Sequence, residues 1–161
     1  MMSSFTAVGM GELHFSARKN LACYALGSCV ACAFYARHQK LGAIAHVVLP
    51  GPSPATNAQP HRYATNAVDA LVEGMQEREI DPRECEIFLV GGAQVLHLAP
   101  LLINGQHIGQ RNVQAVKEQL HKHGMSHYRE DVGGSEGRTM RLDLHCGRVS
   151  VCRAGKEEVV L

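Results

Sequence analysis

Tryptophan is absent from this 161-residue chain, and aromatic residues make up only 5% of it. With so few stacking side chains, a platform for single-stranded nucleic acid is not expected. Neither sign of charge is in excess: the formal net charge is +1, which gives no general attraction to nucleic acid or to a membrane surface. No apolar run reaches the roughly 18 residues of a membrane-spanning helix. The start, Met1-Met2-Ser3-Ser4-Phe5, lacks the charged and apolar regions of a secretory signal. A cytoplasmic protein is expected, with Cys23, Cys29, Cys32, Cys85, Cys146 and Cys152 as reduced thiols rather than a disulfide framework. Internal repeats and low-complexity segments are also missing. Gly91-Gly92 has neither the lysine nor the further glycine spacing of a phosphate loop.

Metal chemistry finds little support. Cys29-Val30-Ala31-Cys32 is formally a Cys-x-x-Cys motif, but no second pair completes a four-ligand zinc set. In a strand, residues three apart point to opposite faces, so the two thiols do not converge; a helix beginning at Cys29 would reverse that argument.

What is present is the composition of a globular protein, 45% hydrophobic and 19% charged. The length fits one domain over residues 1–161, with a core from about residue 8 to residue 153. A strand is expected over Ala7–His14, and helices over Tyr63–Arg78 and Gly109–His123 from their apolar stripes. The second helix buries Val113, Val116 and Leu120 and stops at Gly124. Strands follow at Glu84–Val90 and Ser126–Val132, and alternation from Met140 to Val151 about Cys146-Gly147 predicts a closing hairpin. Ala154–Leu161 is expected to be peripheral. The fold class is therefore α+β.

The most informative stretch runs from Leu21 to Leu49. Gly27-Ser28 interrupts one apolar run, Leu21–Tyr35, and places Cys29 directly after a flexible break; a second run, Leu41–Leu49, follows the polar Arg37-His38-Gln39-Lys40. Two β-prone runs so joined read as an antiparallel hairpin. Folding it about Arg37–His38 pairs residues whose numbers sum to about 75 and sets Cys29 against His46 or its immediate neighbour. Cross-strand Cβ atoms lie roughly 4.5–5.5 Å apart, close enough for a thiol and an imidazole to share a proton. That is the arrangement of a cysteine nucleophile beside a base, with an imidazolium favouring the thiolate. Gly27 lets the backbone approach a substrate, and amides near Ser28 and Cys29 are candidate oxyanion donors. The plainer alternative is a small buried thiol and a hydrogen-bonded core histidine. Two surface stretches remain open: Pro50–Pro60 as flap or simple connection, and the apolar Leu96–Ile103 as contact surface or core.

Leu26-Gly27-Ser28-Cys29-Val30-Ala31 followed by Ala45-His46-Val47-Val48-Leu49-Pro50 resembles the signature of the CheD family of chemoreceptor glutamine deamidases. The likeness continues in order through Tyr63-Ala64-Thr65, Gly91-Gly92-Ala93, Ile108-Gly109-Gln110-Arg111-Asn112 and Glu130-Asp131-Val132-Gly133-Gly134 with Arg138, covering about Val8 to Val151. The resemblance implies a layered mixed β-sandwich flanked by helices, as in cysteine hydrolases. It implies hydrolysis of receptor glutamines to glutamate by Cys29 and His46, with no metal or organic cofactor. The implied partners are the helical cytoplasmic region of methyl-accepting chemotaxis receptors, through which alone the protein meets the membrane, and a CheC-type phosphatase. One departure stands out: where the family carries a catalytic threonine six residues before its cysteine, this chain has Cys23. A non-catalytic adaptor that binds receptors or the phosphatase is the competing function.

Overall fold

The computed structural model describes residues 3–95, 102–103 and 105–161. Its strands are β1 (Phe5–Ala7), β2 (Leu13–Ser16), β3 (Asn20–Leu26), β4 (Val30–Ala36), β5 (Leu41–Val47), β6 (Glu86–Gly91), β7 (Arg129–Val132), β8 (Arg138–Asp143), β9 (Arg148–Cys152) and β10 (Val159–Val160). Its helices are α1 (Ala64–Glu77) and α2 (Ile108–Lys122), with single 3-10 turns at Pro60–Arg62 and Pro82–Glu84. The strands form two five-stranded sheets, one in the order β1-β3-β8-β9-β10 and the other β2-β5-β4-β6-β7.

Two apolar clusters hold three layers together. Alternation sends one side of β4, β5 and β6 (Val30, Cys32, Phe34, Ala43, Ala45, Leu89) toward Ala67, Val68, Leu71 and Met75 of α1 and Val116 and Leu120 of α2. The other side (Ala31, Ala33, Tyr35, Ile44, Phe88, Val90) meets Leu21, Cys23, Met140, Leu142, Val149 and Val151 of the β1-β3-β8-β9-β10 sheet. A strand buried on both faces reads as a continuous apolar run, which is why every residue of β4 is buried. Among the described residues, helices cover the sandwich on one side.

Several expectations need correction. Ala7–His14 is not one strand: its ends belong to β1 and β2, which lie in different sheets, with Gly9–Gly11 crossing between them. Leu21–Tyr35 likewise divides at Gly27-Ser28-Cys29, so that β3 and β4 enter opposite sheets. The β4–β5 hairpin forms, but its turn takes all four polar residues, with Lys40 N–H on the Arg37 carbonyl at 3.3 Å and Lys40 at φ 50°. Ala31 therefore pairs with His46 and Val30 with Val47. The register is shifted by two from the expected one, and an even shift keeps every side chain on its face. The tail is less peripheral than expected, since β10 pairs with β9 and Leu161 packs against the inter-sheet core. Val113 is half-buried, and the third turn-facing position of α2 is taken by Asn112.

Small residues set how closely the layers approach. Gly74 lies in α1 where an added Cβ would fall within the ring of Phe15 on β2, the ring that Arg78 also covers at 4.1 Å. Gly74→Ala gains helix propensity but overpacks this contact. The substitution is expected to lower stability by about 1–3 kcal/mol in urea unfolding; a variant as stable as the parent would show that Phe15 has room to move.

Candidate active site

The segment joining the two sheets carries Cys29. β3 ends in a bulge between Cys23 and Leu26, with Ala25 at φ 54°, which turns the chain out of the first sheet. Gly27, Ser28 and Cys29 then cross to β4 and are half-buried at the edge of the inter-sheet core. All three of their carbonyls are held. The Gly27 carbonyl accepts from Ala93 N–H at 2.8 Å and that of Cys29 from Gly92 N–H at 2.8 Å. The Ser28 carbonyl accepts from the side-chain amide of Asn112 at 3.0 Å. The chain end of β6 can come this close because Gly91, at φ 119°, has no Cβ to meet the Cys29 carbonyl.

His46, next to last in β5, is 3% exposed and shares the inter-sheet side of its strand with Ile44. Its backbone is fixed at both ends by the β1–β2 crossing: its N–H donates to the Glu12 carbonyl at 3.0 Å, and its carbonyl accepts from Gly11 N–H at 2.9 Å. Its ring is fixed by the same segment, Nδ1 lying 2.9 Å from the Val8 carbonyl. A carbonyl only accepts, so Nδ1 carries the proton and Nε2 keeps its lone pair. Among the described residues, Nε2 is buried without a hydrogen-bond partner.

Cys23 joins this arrangement from β3, its thiol donating to the same Val8 carbonyl at 3.6 Å. Cys23 and His46 therefore share one acceptor. Cys29 lies just before β4, two residues ahead of Ala31, the partner of His46, and packs against the inter-sheet core to which Ile44 of β5 also belongs. Cys32, by contrast, packs on the helix side, so the two thiols of the Cys-x-x-Cys motif point apart.

Burial pushes the Cys29 thiol up, against the opposing pull of the Arg62 guanidinium and of the residue's own amide. Burial pushes His46 down, although its bond to Val8 and the Glu12 carboxylate work the other way. Burial also raises Cys23, with the neighbouring Cys29 adding to it. Both shifts favour the uncharged forms, a thiol and an imidazole.

Three contributors escaped the sequence reading. The Val8 carbonyl is a backbone atom and leaves no residue signal. Arg62 is positioned by tertiary packing: its stem lies over Gly11, and its carbonyl accepts from Val48 and Leu49 N–H at 2.8 and 2.9 Å. Asn112 stood in a recognisable block without a role. Of the apolar Leu96–Ile103 run, residues 96–101 lie outside the described residues; Leu102 and Ile103 are exposed, as is Val95, which borders Gly27. The Pro50–Pro60 connection returns to the site at the Pro60–Arg62 turn.

Comparison with known proteins matches residues 48–153 to the family described as CheD chemotactic sensory transduction. A protein of Symbiobacterium thermophilum named probable chemoreceptor glutamine deamidase CheD is 39% identical, the comparison covering 94% of each chain. The chemoreceptor glutamine deamidase CheD of Thermotoga maritima is 34% identical over 94% of this chain and 93% of its own. A probable chemoreceptor glutamine deamidase CheD of Archaeoglobus fulgidus is 34% identical over 93% and 94%. With a family model over most of its length and relatives spanning almost all of it, the chain belongs to the CheD family.

Proposed function

We propose that this protein is a deamidase that hydrolyses the side-chain amide of specific glutamines on methyl-accepting chemotaxis receptors, leaving glutamate and releasing ammonia. The observation that carries the reading is the buried, unpartnered Nε2 of a tautomer-locked His46 on the inter-sheet side of β5, toward the core against which Cys29 packs. The names of the relatives support the substrate class.

In the proposed reaction, Cys29 sulfur attacks the glutamine amide carbon while His46 Nε2 takes the thiol proton. Charge developing on the amide oxygen is met by the backbone amides of the Ser28–Cys29 segment, which is held in place through its carbonyls. The tetrahedral intermediate collapses, the carbon–nitrogen bond breaks, and the departing nitrogen takes the proton from His46 to leave as ammonia. A water molecule then loses a proton to His46 and attacks the thioester; sulfur leaves, is reprotonated, and glutamate is released. Cysteine is nucleophilic enough for this without a metal or organic cofactor. Each turnover places a new negative charge on a receptor helix, which alters packing through local repulsion.

The receptor helix stays folded while its glutamine is processed, so recognition is of a helix surface. The exposed Val95, which borders Gly27, and the exposed Leu102 and Ile103 offer apolar contact for it. A CheC-type phosphatase is proposed as a second partner. No helix among the described residues is long and apolar enough to cross a membrane, and a cytoplasmic protein meeting the membrane through its receptors is the proposed setting. The adaptor alternative draws on the uncharged forms favoured at Cys29 and His46 and on Cys23 at the family's threonine position.

Incubation with a receptor cytoplasmic fragment, read by peptide mass spectrometry, separates the two functions. Cys29→Ala is expected to abolish conversion of glutamine to glutamate while keeping receptor binding, and His46→Gln to slow it by about 10²- to 10⁴-fold. Wild-type conversion by Cys29→Ala contradicts the proposed nucleophile; no conversion by the parent protein favours the adaptor. The pH dependence follows from the two shifts. A base held below its usual range stays competent in mild acid, so the acid limb of kcat/KM is expected below pH ~6.5, the ordinary histidine value. A thiol held above its usual range is expected to show iodoacetamide alkylation still climbing beyond pH ~8.5. A plateau in alkylation near neutrality would point to a preformed thiolate.

A further inference from the structure

Asn112 occupies a position on α2 that packing alone would fill with an apolar residue. It belongs to the buried stripe that continues through Val116 and Leu120, and it is 0% exposed. Its side-chain amide lies 3.0 Å from the Ser28 carbonyl and 3.0 Å from the Val48 carbonyl. Both of its protons are thereby used, while Oδ1 is buried with no partner. Ser28 immediately precedes Cys29, and Val48 follows His46 by two residues along the same chain. One planar group from a distant helix therefore bridges the two segments that carry the thiol and the imidazole.

The bridge demands an amide. A hydroxyl has one proton to give, a carboxylate none, and an aliphatic side chain would leave two buried carbonyls unpaired. The helix that supplies it is itself held in place. His107 caps its first turn, with the side chain of each of His107 and Gln110 on the other's backbone N–H. Gly109 lets the helix seat so closely that an added Cβ would lie 2.5 Å from the Gly92 carbonyl oxygen. Gly92 and Ala93 in turn hold the Cys29 and Gly27 carbonyls.

We propose that Asn112 is a positioning residue: by clamping the Ser28 and Val48 carbonyls to one side-chain amide, it sets the spacing of Cys29 from His46 and turns the Ser28–Cys29 amides toward the substrate. The proposal rests on the reading of Cys29 as nucleophile. It does not require Asn112 to touch the substrate.

Two variants test it in the full-length protein. Asn112→Leu keeps the size and removes both donors; Asn112→Asp keeps the shape and retains at most one donor, when protonated. Each is first checked for cooperative thermal unfolding, and assays are run well below the transition. Deamidation of the receptor fragment gives kcat and KM, and peptide mass spectrometry gives the rate of Cys29 alkylation by iodoacetamide across pH. Displacing a reacting group by about 1 Å costs on the order of 10²-fold in rate. The expected result is a kcat loss of that order for Asn112→Leu and a smaller one for Asn112→Asp, with KM little changed and the alkylation profile displaced. Should Asn112→Leu fail to fold, Asn112→Asp carries the test alone. Folded variants with parental kcat and alkylation profile overturn the proposal, even if their melting temperatures fall. Alkylation needs no receptor, so a parent protein that does not deamidate, or a Cys29→Ala variant that does, defeats the nucleophile reading separately.

Discussion

A single backbone carbonyl, that of Val8, decides what the histidine of this protein can do. By accepting from Nδ1 it forces the imidazole into one tautomer and leaves the other nitrogen as a buried lone pair with no partner among the described residues. Leaving a buried acceptor unpaired costs about 1–3 kcal/mol, and the rest of the structure supplies the frame that sustains it. The β1–β2 crossing is tied to both the amide and the carbonyl of His46, so the ring has little freedom to rotate away. Cys23 places its thiol on the same carbonyl from the opposite sheet. The site is therefore built at the seam between two sheets, where neither alone contains it.

The seam also explains the reactivity expected of Cys29. A segment passing from one sheet to the other leaves the hydrogen-bond ladder, and its polar groups need partners elsewhere. Here the carbonyls of Gly27, Ser28 and Cys29 find them in Ala93, Asn112 and Gly92, which orients the segment. The end of β6 that supplies two of these donors is braced from behind. Gly133 N–H donates to the Gly91 carbonyl and Gln94 N–H to that of Gly134, both at 2.9 Å. The β7–β8 turn is held by Arg138, which reaches the carboxylate of Asp131 and the carbonyl of Gly133, while Arg153 pairs with Asp131 as well. The Glu130–Gly134 block and Arg138 thus serve the site from a distance.

Much of this was legible in the residues. The stripe of α1, the Gly124 stop of α2 and the hairpin joining β4 to β5 follow from periodicity and turn chemistry that act locally. Cys29 and His46 were expected together because a hairpin brings near what its turn separates, and an even register error leaves His46 on the expected face. What local rules could not reach was long-range. The break at Gly27-Ser28 marks a change of sheet rather than a bend within one, and only the partners of β3 and β4 reveal it. The direction in which burial moves Cys29 and His46 was equally out of reach, because burial is a property of the assembled layers. The bridging role of Asn112 spans 84 and 64 residues to its two acceptors, beyond any motif spacing.

The central claim is that His46 stands ready as a neutral base with its proton on Nδ1. Nitrogen NMR of protein labelled at histidine tests it directly in the resting state at neutral pH. The account predicts a His46 ring with a protonated Nδ1 and a bare Nε2. A resting imidazolium, or a proton on Nε2 with Nδ1 bare, would contradict it.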